Sequence, residues 1–403
     1  MTACSPVRAL EDRKMPDHAT DEKFLHRALD LARQGVGLSS PNPHVGAVIV
    51  DARGNIVGTG VYTYDGVKHA EVLALEQAGD KARGGTLYIN LEPHAHQGRT
   101  PPCTDALIGA GIRRVVASMA DPNPKVSGRG FEKLRAAGVH VEVGRLEAEG
   151  RRVNEAFARY IRHGVPLVTL KAAMTLNGKI APPPSAESKK SYGTPAGGWI
   201  TDEAARAHVH EQRHQSDAIL AGVGTILTDD PLLTDRSGRL RRRALLRVIL
   251  DSHLRVPPES RLVQSVTNAR ASGKDVLVFC CAGDENKQRE LEARGIRVEQ
   301  LPASASDRRP DIHAILRRLG EFEIASVLIE GGSAVNGMAL ASGIVDKVLL
   351  YYAPKILGAG SVPFAGGGNF SHLNAALHVK HSRLHRFGED FAVEGYLHNP
   401  YEE

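Results

Sequence analysis

Four residues in the first quarter of the chain have the types and spacing of a metal site with an acid–base group beside it. His69 and Glu71 are separated by one residue. Further on, His94 directly follows a proline, and Cys103 directly follows a pair of prolines. Neutral imidazole and thiolate are good zinc ligands, and a catalytic zinc site keeps one position open for water. We therefore predict that His69, His94 and Cys103 bind zinc.

The chemistry available at such a site is the hydrolytic removal of an amino group. Zinc lowers the pKa of a bound water toward ~7, so that hydroxide forms at neutral pH and can attack a carbon that bears an amino group. A nearby carboxylate must carry a proton to the departing ammonia, and Glu71 is the candidate for this role. A His-x-Glu followed by Pro and a later Cys is typical of zinc-dependent deaminases of nucleosides or nucleobases.

The third ligand departs from this pattern. Such deaminases usually use one His and two Cys, whereas here His94 occupies the first Cys position. His96 lies two residues further on, so the sequence leaves open whether His94 or His96 completes the site. The alternative to a metal site is that His94 points away and no zinc is bound.

Alternating helices and strands are predicted to position these groups. His69 and Glu71 are two residues apart and cannot share a helix face, which favours the beginning of a helix that ends near Gly79. The apolar run 86–91 predicts a buried strand that leads to His94. The two prolines favour the opening of a helix with Cys103 in its first turn. Upstream, we predict a helix that Thr20 caps and Gly35 ends, and a hairpin formed by 46–50 and 56–57. In the second half of the chain, we predict that Thr201 caps a helix.

Composition permits a soluble enzyme of more than one domain, and its basic residues would fit either a solvated face or a small anionic substrate or cofactor. The 403 residues are 42% hydrophobic, and the four cysteines, two of them adjacent, favour a reducing compartment. No apolar run approaches the ~20 residues that cross a bilayer, and the first twenty residues lack the apolar core of a signal peptide. We therefore expect a cytoplasmic protein with no membrane partner. The net charge is +5, but aromatic residues make up 5% and no basic run interleaves with them, which argues against nucleic acid.

The second half of the chain predicts a mainly parallel sheet with two glycine-rich turns. Short apolar runs alternate with helical segments from residue 166 onward. The turns 222–225 and 330–333 each follow a predicted strand, where backbone N–H groups could approach a phosphate. Neither turn is a full G-x-G-x-x-G, so the Rossmann fingerprint is absent and a plain tight turn is the alternative. The segment 182–198 is rich in Pro and Gly and predicts a loop.

Taken together, these motifs resemble the bifunctional deaminase–reductase family of riboflavin biosynthesis, from about residue 21 to the C-terminus. The motifs that carry the resemblance are Ser40-Pro41-Asn42-Pro43-His44-Val45-Gly46, His69-Ala70-Glu71, the stretch from Glu92 to Cys103, Thr175-Leu176-Asn177-Gly178-Lys179, Trp199-Ile200-Thr201, Gly224-Thr225, the stretch from Asp229 to Arg236, and Glu330-Gly331-Gly332. Their number and order make a chance match implausible.

The resemblance implies an α/β fold and two successive reactions. A cytidine-deaminase-like domain at the N-terminus would use zinc to remove an amino group from a diaminopyrimidinone that carries a ribose phosphate. A dihydrofolate-reductase-like domain would then use NADPH to reduce the ribosyl group to ribityl. We expect a homo-oligomer, and we divide the chain into a disordered leader (1–20), a zinc deaminase domain (21–146), a helical connector (147–165) and a reductase domain (166–403).

The resemblance also implies roles for individual residues. Glu71 would be catalytic and Asn42 would contact the pyrimidine. The NADPH site would be lined by Ala173, Trp199, Thr225, Asp229, Ser252, Gly332 and Ser333. The substrate of the reductase would be bound by Arg213, Leu233, Arg236 and Glu330. The two arginines suit a phosphate monoester, which is held well by the fork-shaped donors of guanidinium.

Three departures from the family pattern define the alternatives. Besides His94, Tyr62 stands where the family often has His, and the loop 182–198 is longer, with Gly197 where a hydroxyl side chain is expected. One alternative is a reductase whose deaminase-like domain is inactive. Another is a deaminase-like protein that binds or edits nucleic acid, but this leaves the whole second half unexplained.

Overall fold

A computed structural model describes residues 18–97, 101–183, 198–267, 275–304, 309–367 and 375–402. The predicted leader lies outside the described residues up to position 17, as does most of the loop 182–198 with Gly197. The first helix, α1 (His18–Gln34), begins two residues before Thr20. The predicted cap at Thr20 is therefore wrong, because the first helical turn extends upstream of the threonine.

The first half forms a five-stranded sheet in the order β2-β1-β3-β4-β5. Strand β1 is antiparallel to both of its neighbours, which confirms the predicted hairpin, and the remaining strands are parallel. Its elements after α1 are β1 (Gly46–Val50), β2 (Ile56–Val61), α2 (Ala70–Ala78), β3 (Thr86–Ile89), α3 (Cys103–Gly109), β4 (Arg114–Ala117), α4 (Arg129–Ala136) and β5 (His140–Val143).

Glycines in β2 bring helix α2 unusually close to the sheet. A Cβ atom on Gly58 would lie 2.1 Å from the carbonyl oxygen of Ala74, and one on Gly60 would lie 2.0 Å from that of Ala70. Real Cβ atoms do not approach this closely, so only glycine allows the contact. The first turn of α2 is therefore fixed directly against the sheet, and this turn carries Glu71.

The predicted helical connector consists of two short helices. They are α5 (Glu147–Val153) and α6 (Glu155–His163), and Asn154 lies between them. Glu155 accepts a hydrogen bond of 2.8 Å from Lys347, a residue of the second half. The connector thus contacts the second sheet as well as linking the two halves of the chain.

The second half forms a nine-stranded sheet in the order β11-β10-β9-β8-β12-β6-β13-β16-β15. All pairs are parallel except those of β16, which confirms the predicted mainly parallel sheet. Its strands are β6 (Leu167–Thr175), β8 (Ala218–Gly222), β9 (Leu246–Leu250), β10 (Val276–Cys280), β11 (Arg297–Gln300), β12 (Ser326–Ile329), β13 (Lys347–Ala353), β15 (Lys380–Phe387) and β16 (Asp390–Tyr396), and a separate pair is formed by β7 (Lys179–Ala181) and β14 (Val362–Pro363).

Helices follow most of the parallel strands of this sheet. They are α7 (Glu203–Gln215), α8 (Val223–Asp229), α9 (Arg261–Thr267), α10 (Glu285–Ala293), α11 (Ile312–Glu321) and α12 (Ser333–Ala341). The N-cap of α7 is Asp202 rather than the predicted Thr201, one residue further along the chain. Within the described ranges, no helix is both long and apolar enough to span a membrane.

Candidate active sites

The three predicted zinc ligands lie together at one end of the first sheet. The ligand atoms of His69, His94 and Cys103 are all within 4.8 Å of one another. His69 is the N-cap of α2, and Cys103 is the first residue of α3, as the sequence predicts. His94 follows β3, whose buried residues anchor the segment that leads to it.

The geometry of this group fits a zinc ion. Zinc binds imidazole nitrogen at about 2.0–2.1 Å and thiolate sulfur at about 2.3 Å, so tetrahedral ligand atoms lie a little under 4 Å apart. The observed separations, all within 4.8 Å, are close to this value. Among the described residues no other cluster of three such groups is found, and His96 is not part of this one: its ring centre lies 5.3 Å from that of His94. The geometry therefore favours His94 over His96 as the third ligand.

Glu71 lies beside these ligands with its carboxyl group buried. The residue is 3% exposed and sits in the first turn of α2. Burial raises the pKa of the Glu71 carboxyl, against the weaker opposing effect of His69 and of a hydrogen bond to the Cys103 thiol. Burial also raises the pKa of the Cys103 thiol, and the nearby charge of Glu71 adds to this rise. A bound cation would reverse the effect on the thiol, because a metal favours the thiolate.

Asn42 and Tyr62 form a polar pair next to the zinc ligands. The Asn42 side-chain amide donates a hydrogen bond of 2.6 Å to the Tyr62 hydroxyl. The Tyr62 ring packs edge-on against the His69 ring, with 5.3 Å between the ring centres. This arrangement leaves the Asn42 side-chain oxygen as an acceptor for a donor group on a ligand.

In the second half, Glu330 is the centre of a buried ion-pair cluster. It follows β12 and accepts two hydrogen bonds from Arg213, from Nε at 2.7 Å and from Nη2 at 3.0 Å. The ammonium group of Lys171 lies 3.4 Å from Glu330. Burial alone would raise the pKa of Glu330, but the positive charges of Arg213 and Lys171 outweigh it and lower the pKa to about 2.

Arg236 differs from Arg213 in having no carboxylate partner. The third nitrogen of Arg213, Nη1, donates to the carbonyl oxygen of Thr234 at 3.0 Å, so each nitrogen of this guanidinium makes a hydrogen bond. For Arg236, by contrast, no hydrogen bond or ion pair is found among the described residues. Burial lowers the pKa of Arg236, and the positive charges of Arg213 and Arg261 lower it further. The negative charge of Glu330 acts in the opposite direction, but its effect on the pKa of Arg236 is smaller than that of either arginine. A guanidinium with two neighbouring arginines and no direct carboxylate contact is a suitable place for a phosphate.

The predicted NADPH residues follow the carboxyl ends of neighbouring parallel strands. Thr225 and Asp229 lie on α8 directly after β8, and Ser252 follows β9. Gly332 caps α12, where Ser333 is the first helical residue. A Cβ atom on Gly332 would lie 4.0 Å from the Thr225 hydroxyl, so these two turns adjoin. Ligands of open parallel sheets bind at this edge.

The other three predicted residues of the reductase half are more dispersed. Ala173 is partly buried in β6. Trp199 is 49% exposed, and the Arg206 guanidinium lies over its ring at 4.9 Å. Leu233 is buried with a positive φ of 53°, a sign of backbone constraint in the segment that leads to Arg236.

The structure adds two residues that the sequence analysis missed. Lys171 is beside Glu330, and Arg261 is close enough to Arg236 to affect its pKa. A lysine inside the apolar run of β6 was the signal that could have revealed the first. Nothing in the sequence around Arg261 marks it, because Arg236 lies 25 residues upstream and only the fold brings the two together.

Comparison with known proteins matches both halves of the chain. The family model for the cytidine and deoxycytidylate deaminase zinc-binding region matches residues 18–119, and that for the RibD C-terminal domain matches residues 166–393. The riboflavin biosynthesis protein RibD of Actinobacillus pleuropneumoniae is 40% identical over 383 residues, which are 94% of this chain and 96% of that protein. RibD of Escherichia coli K12 is 37% identical over 384 residues, or 93% and 98% of the two chains.

Solved structures agree with these matches. A deaminase and reductase from Thermotoga maritima, described as acting on diaminohydroxyphosphoribosylaminopyrimidine and 5-amino-6-(5-phosphoribosylamino)uracil, is 37% identical with a TM-score of 0.77, covering 94% of this chain and 99% of its own. Acinetobacter baumannii RibD is 31% identical with a TM-score of 0.79 and the same coverage. The expected order of a cytidine-deaminase-like domain and a reductase domain is confirmed. The chain thus belongs to the RibD family of riboflavin biosynthesis proteins, whose members join a zinc-binding deaminase domain to a reductase domain.

Proposed function

We propose that this chain catalyses two successive steps of riboflavin biosynthesis. It deaminates a diaminopyrimidinone ribosyl phosphate and then reduces the ribosyl group of the product to ribityl with NADPH. The observation that carries the proposal is the convergence of His69, His94, Cys103 and a buried Glu71 in one domain. In the other domain, Arg236 makes no ion pair with any residue that the structure describes and lies near Arg213 and Arg261. Each cluster suits one of the two reactions, and they belong to one chain.

In the deamination step, Glu71 moves the proton. His69, His94 and Cys103 hold zinc, which when bound supplies a Lewis acid that activates water. Glu71 accepts a proton as water adds to the ring carbon and gives it to the amino group that leaves as ammonia. The raised pKa of Glu71 suits this role, since a carboxyl group that shuttles a proton near neutral pH must take one up readily. Asn42 binds the pyrimidine edge.

In the reduction step, the charged residues bind the substrate and supply a proton. NADPH, when bound, would supply the hydride that reduces the sugar C1 in its ring-opened imine form, and this chain must supply the proton that the imine nitrogen takes up. Arg236 binds the phosphate, and this holds the sugar carbon in place for the transfer. Lys171, whose ammonium group lies 3.4 Å from Glu330, supplies this proton in the proposed reaction. Glu330 orients Arg213 and Lys171 and stays ionised.

One experiment separates the two reactions. The purified protein is given the diaminopyrimidinone phosphate, and ammonia release and NADPH oxidation are followed independently, with NADH as the comparison cofactor. We expect ammonia release without any nicotinamide cofactor, and NADPH oxidation that depends on prior deamination. The alternative is a reductase whose deaminase domain is inactive because His94 replaces a Cys ligand. Reduction of pre-deaminated substrate, without ammonia release from the diaminopyrimidinone phosphate, would support this alternative.

A further inference from the structure

The segment of the deaminase domain that carries Asn42 is held by residues outside that domain. We call residues 38–44 the substrate segment. The Ser40 hydroxyl donates a hydrogen bond of 2.7 Å to Asp217 of the reductase half. Arg242 of the same half donates from its backbone N–H to the carbonyl oxygen of Gly37 at 2.8 Å. It also donates from Nη2 to the carbonyl oxygen of Ser40 at 2.9 Å.

Arg242 makes a further contact beneath the substrate segment. Its guanidinium lies 4.0 Å from the centre of the Tyr64 ring, a cation–π distance. The Tyr64 backbone N–H in turn donates to the carbonyl oxygen of Leu38 at 3.0 Å. The Arg242 side chain therefore bridges the substrate segment and the turn that follows β2.

The other end of the substrate segment is held by the connector. The His44 backbone N–H donates to the Asn154 side-chain oxygen at 2.8 Å, and the Asn154 amide donates back to the His44 carbonyl at 3.2 Å. Asn154 is 1% exposed and lies between α5 and α6. Within the deaminase domain, Asn90 donates to the same carbonyl at 2.9 Å.

Asn42 lies midway between these anchors, two residues from Ser40 and two from His44. Its direction toward the zinc ligands depends on where both ends of the segment are fixed. Asp217 provides a rigid support, because it is 7% exposed and also accepts a hydrogen bond of 2.8 Å from the Ala325 N–H. It precedes β8, whereas the predicted NADPH residues Thr225 and Asp229 follow that strand. The support is thus separate from the cofactor edge.

We propose that Arg242 and Asp217 of the reductase domain are positioning residues for the deamination reaction. They fix the substrate segment so that Asn42 faces the pyrimidine, and the affinity of the deaminase site for its substrate therefore depends on the reductase domain. This inference rests on the proposed deaminase function. It gives the joining of the two domains in one chain a structural role in substrate binding by the deaminase domain.

The test compares two arginines of one loop. Arg242→Ala removes the contacts to Ser40 and Tyr64. Arg239→Ala removes the same charge from an exposed residue whose ion pair, 3.5 Å to Glu211, lies within the reductase half. We expect Arg242→Ala to raise the deaminase KM by about 3- to 10-fold, the loss expected for one hydrogen bond and a cation–π contact, with kcat retained. Arg239→Ala should leave both constants unchanged.

Ser40→Ala tests the same contact between the domains by changing a residue of the deaminase domain. It removes the donor to Asp217 without altering any reductase residue, and it should raise the deaminase KM in the same direction. Reduction of pre-deaminated substrate and the midpoint of thermal unfolding are measured for every variant and should match the unmodified protein. A general loss of fold would lower kcat through the active fraction and leave KM in place, so the split between KM and kcat distinguishes positioning from a structural effect.

Three outcomes are informative. An increased KM in both Arg242→Ala and Ser40→Ala, absent in Arg239→Ala, supports the inference. An unchanged KM in both variants, with deamination intact, overturns the inference and leaves the proposed function standing. If the unmodified protein releases no ammonia at all, the proposed deaminase function fails, and the inference fails with it.

Discussion

The two candidate sites are assembled in different ways. The zinc ligands stand at the beginnings of α2 and α3 and just after β3, within 35 residues of one another in sequence. The groups of the reductase site come from Lys171, Arg213, Arg236 and Glu330, which are spread over 160 residues and meet only through the sheet. A local site can be recognised from its motif, whereas a dispersed site requires the fold.

The same residue type also behaves oppositely in the two sites. Glu71 and Glu330 are both buried carboxyl groups, yet burial raises the pKa of Glu71, whereas the charges of Arg213 and Lys171 lower that of Glu330 to about 2. Pairs of acids whose environments push their pKa values apart take different roles. Glu71 is prepared to exchange a proton, and Glu330 is prepared to remain an anion that orients its partners.

The largest expected effect is on Glu71. Glu71→Gln should lower the kcat of ammonia release by ~10²–10⁴-fold, because an amide cannot shuttle a proton. Zinc content, measured on protein purified without chelator, should be unchanged, since Glu71 is not a ligand. Reduction of pre-deaminated substrate serves as the internal control and should proceed at the normal rate. Deamination at the normal rate in this variant would remove Glu71 from the mechanism and with it the contrast to Glu330.

The next largest effect is on the reductase side. Arg236→Ala should raise the KM for the deaminated phosphate by roughly 10- to 100-fold, as a charge-assisted contact contributes about 1.5–3 kcal/mol. The measurement is NADPH oxidation with pre-deaminated substrate, and Arg239→Ala, which changes the same charge nearby, is the matched control. Ammonia release should not change. Equal kinetics in the two variants would place the phosphate elsewhere and leave the unpaired guanidinium unexplained.

The sequence predicts features that depend on neighbouring residues better than features that depend on contacts between distant residues. The hairpin of β1 and β2, the helix starts at Ala70 and Cys103, and the mainly parallel second sheet follow from local patterns of apolar residues, prolines and glycines. The start of α1 could not be predicted in this way, since the polar residues around Thr20 suit a cap and a helical turn equally well. The one-residue error at Asp202 has the same origin.

The sequence could not predict which charged side chains form ion pairs with one another. Arg213 and Arg236 were predicted to hold the phosphate together, but the fold commits Arg213 to Glu330 and leaves Arg236 without a carboxylate. Such a division depends on which side chains meet across the sheet, and no spacing in the sequence encodes it. The contacts of Arg242 with the substrate segment were missed for the same reason, because they join residues about 200 positions apart.

A third prediction concerns His94, where an imidazole takes the place of the second thiolate that is usual in such zinc sites. His94→Cys should hold zinc more tightly, by roughly tenfold or more in resistance to a chelator, since a second thiolate adds a negative charge and a soft donor. The readout is residual zinc after dialysis against increasing chelator, with His96→Cys as the matched control. If both variants gained zinc affinity equally, the third ligand would not be His94 alone.

The smallest effect is expected at Tyr62, which lies where the substrate contact and the metal site meet. Tyr62→Phe removes the acceptor for the Asn42 amide but keeps the ring against His69, so the two functions of the residue can be separated. A single neutral hydrogen bond contributes about 0.5–1.5 kcal/mol, which corresponds to a rise in the deaminase KM of roughly 2- to 10-fold. Zinc content should stay constant because the packing is retained.

Tyr401→Phe, which loses one hydrogen bond of 2.6 Å to the Arg151 carbonyl, is the matched control and should leave KM unchanged. Loss of zinc from Tyr62→Phe would instead mean that the hydroxyl positions His69. The deaminase site would then depend on this tyrosine for its metal rather than for its substrate.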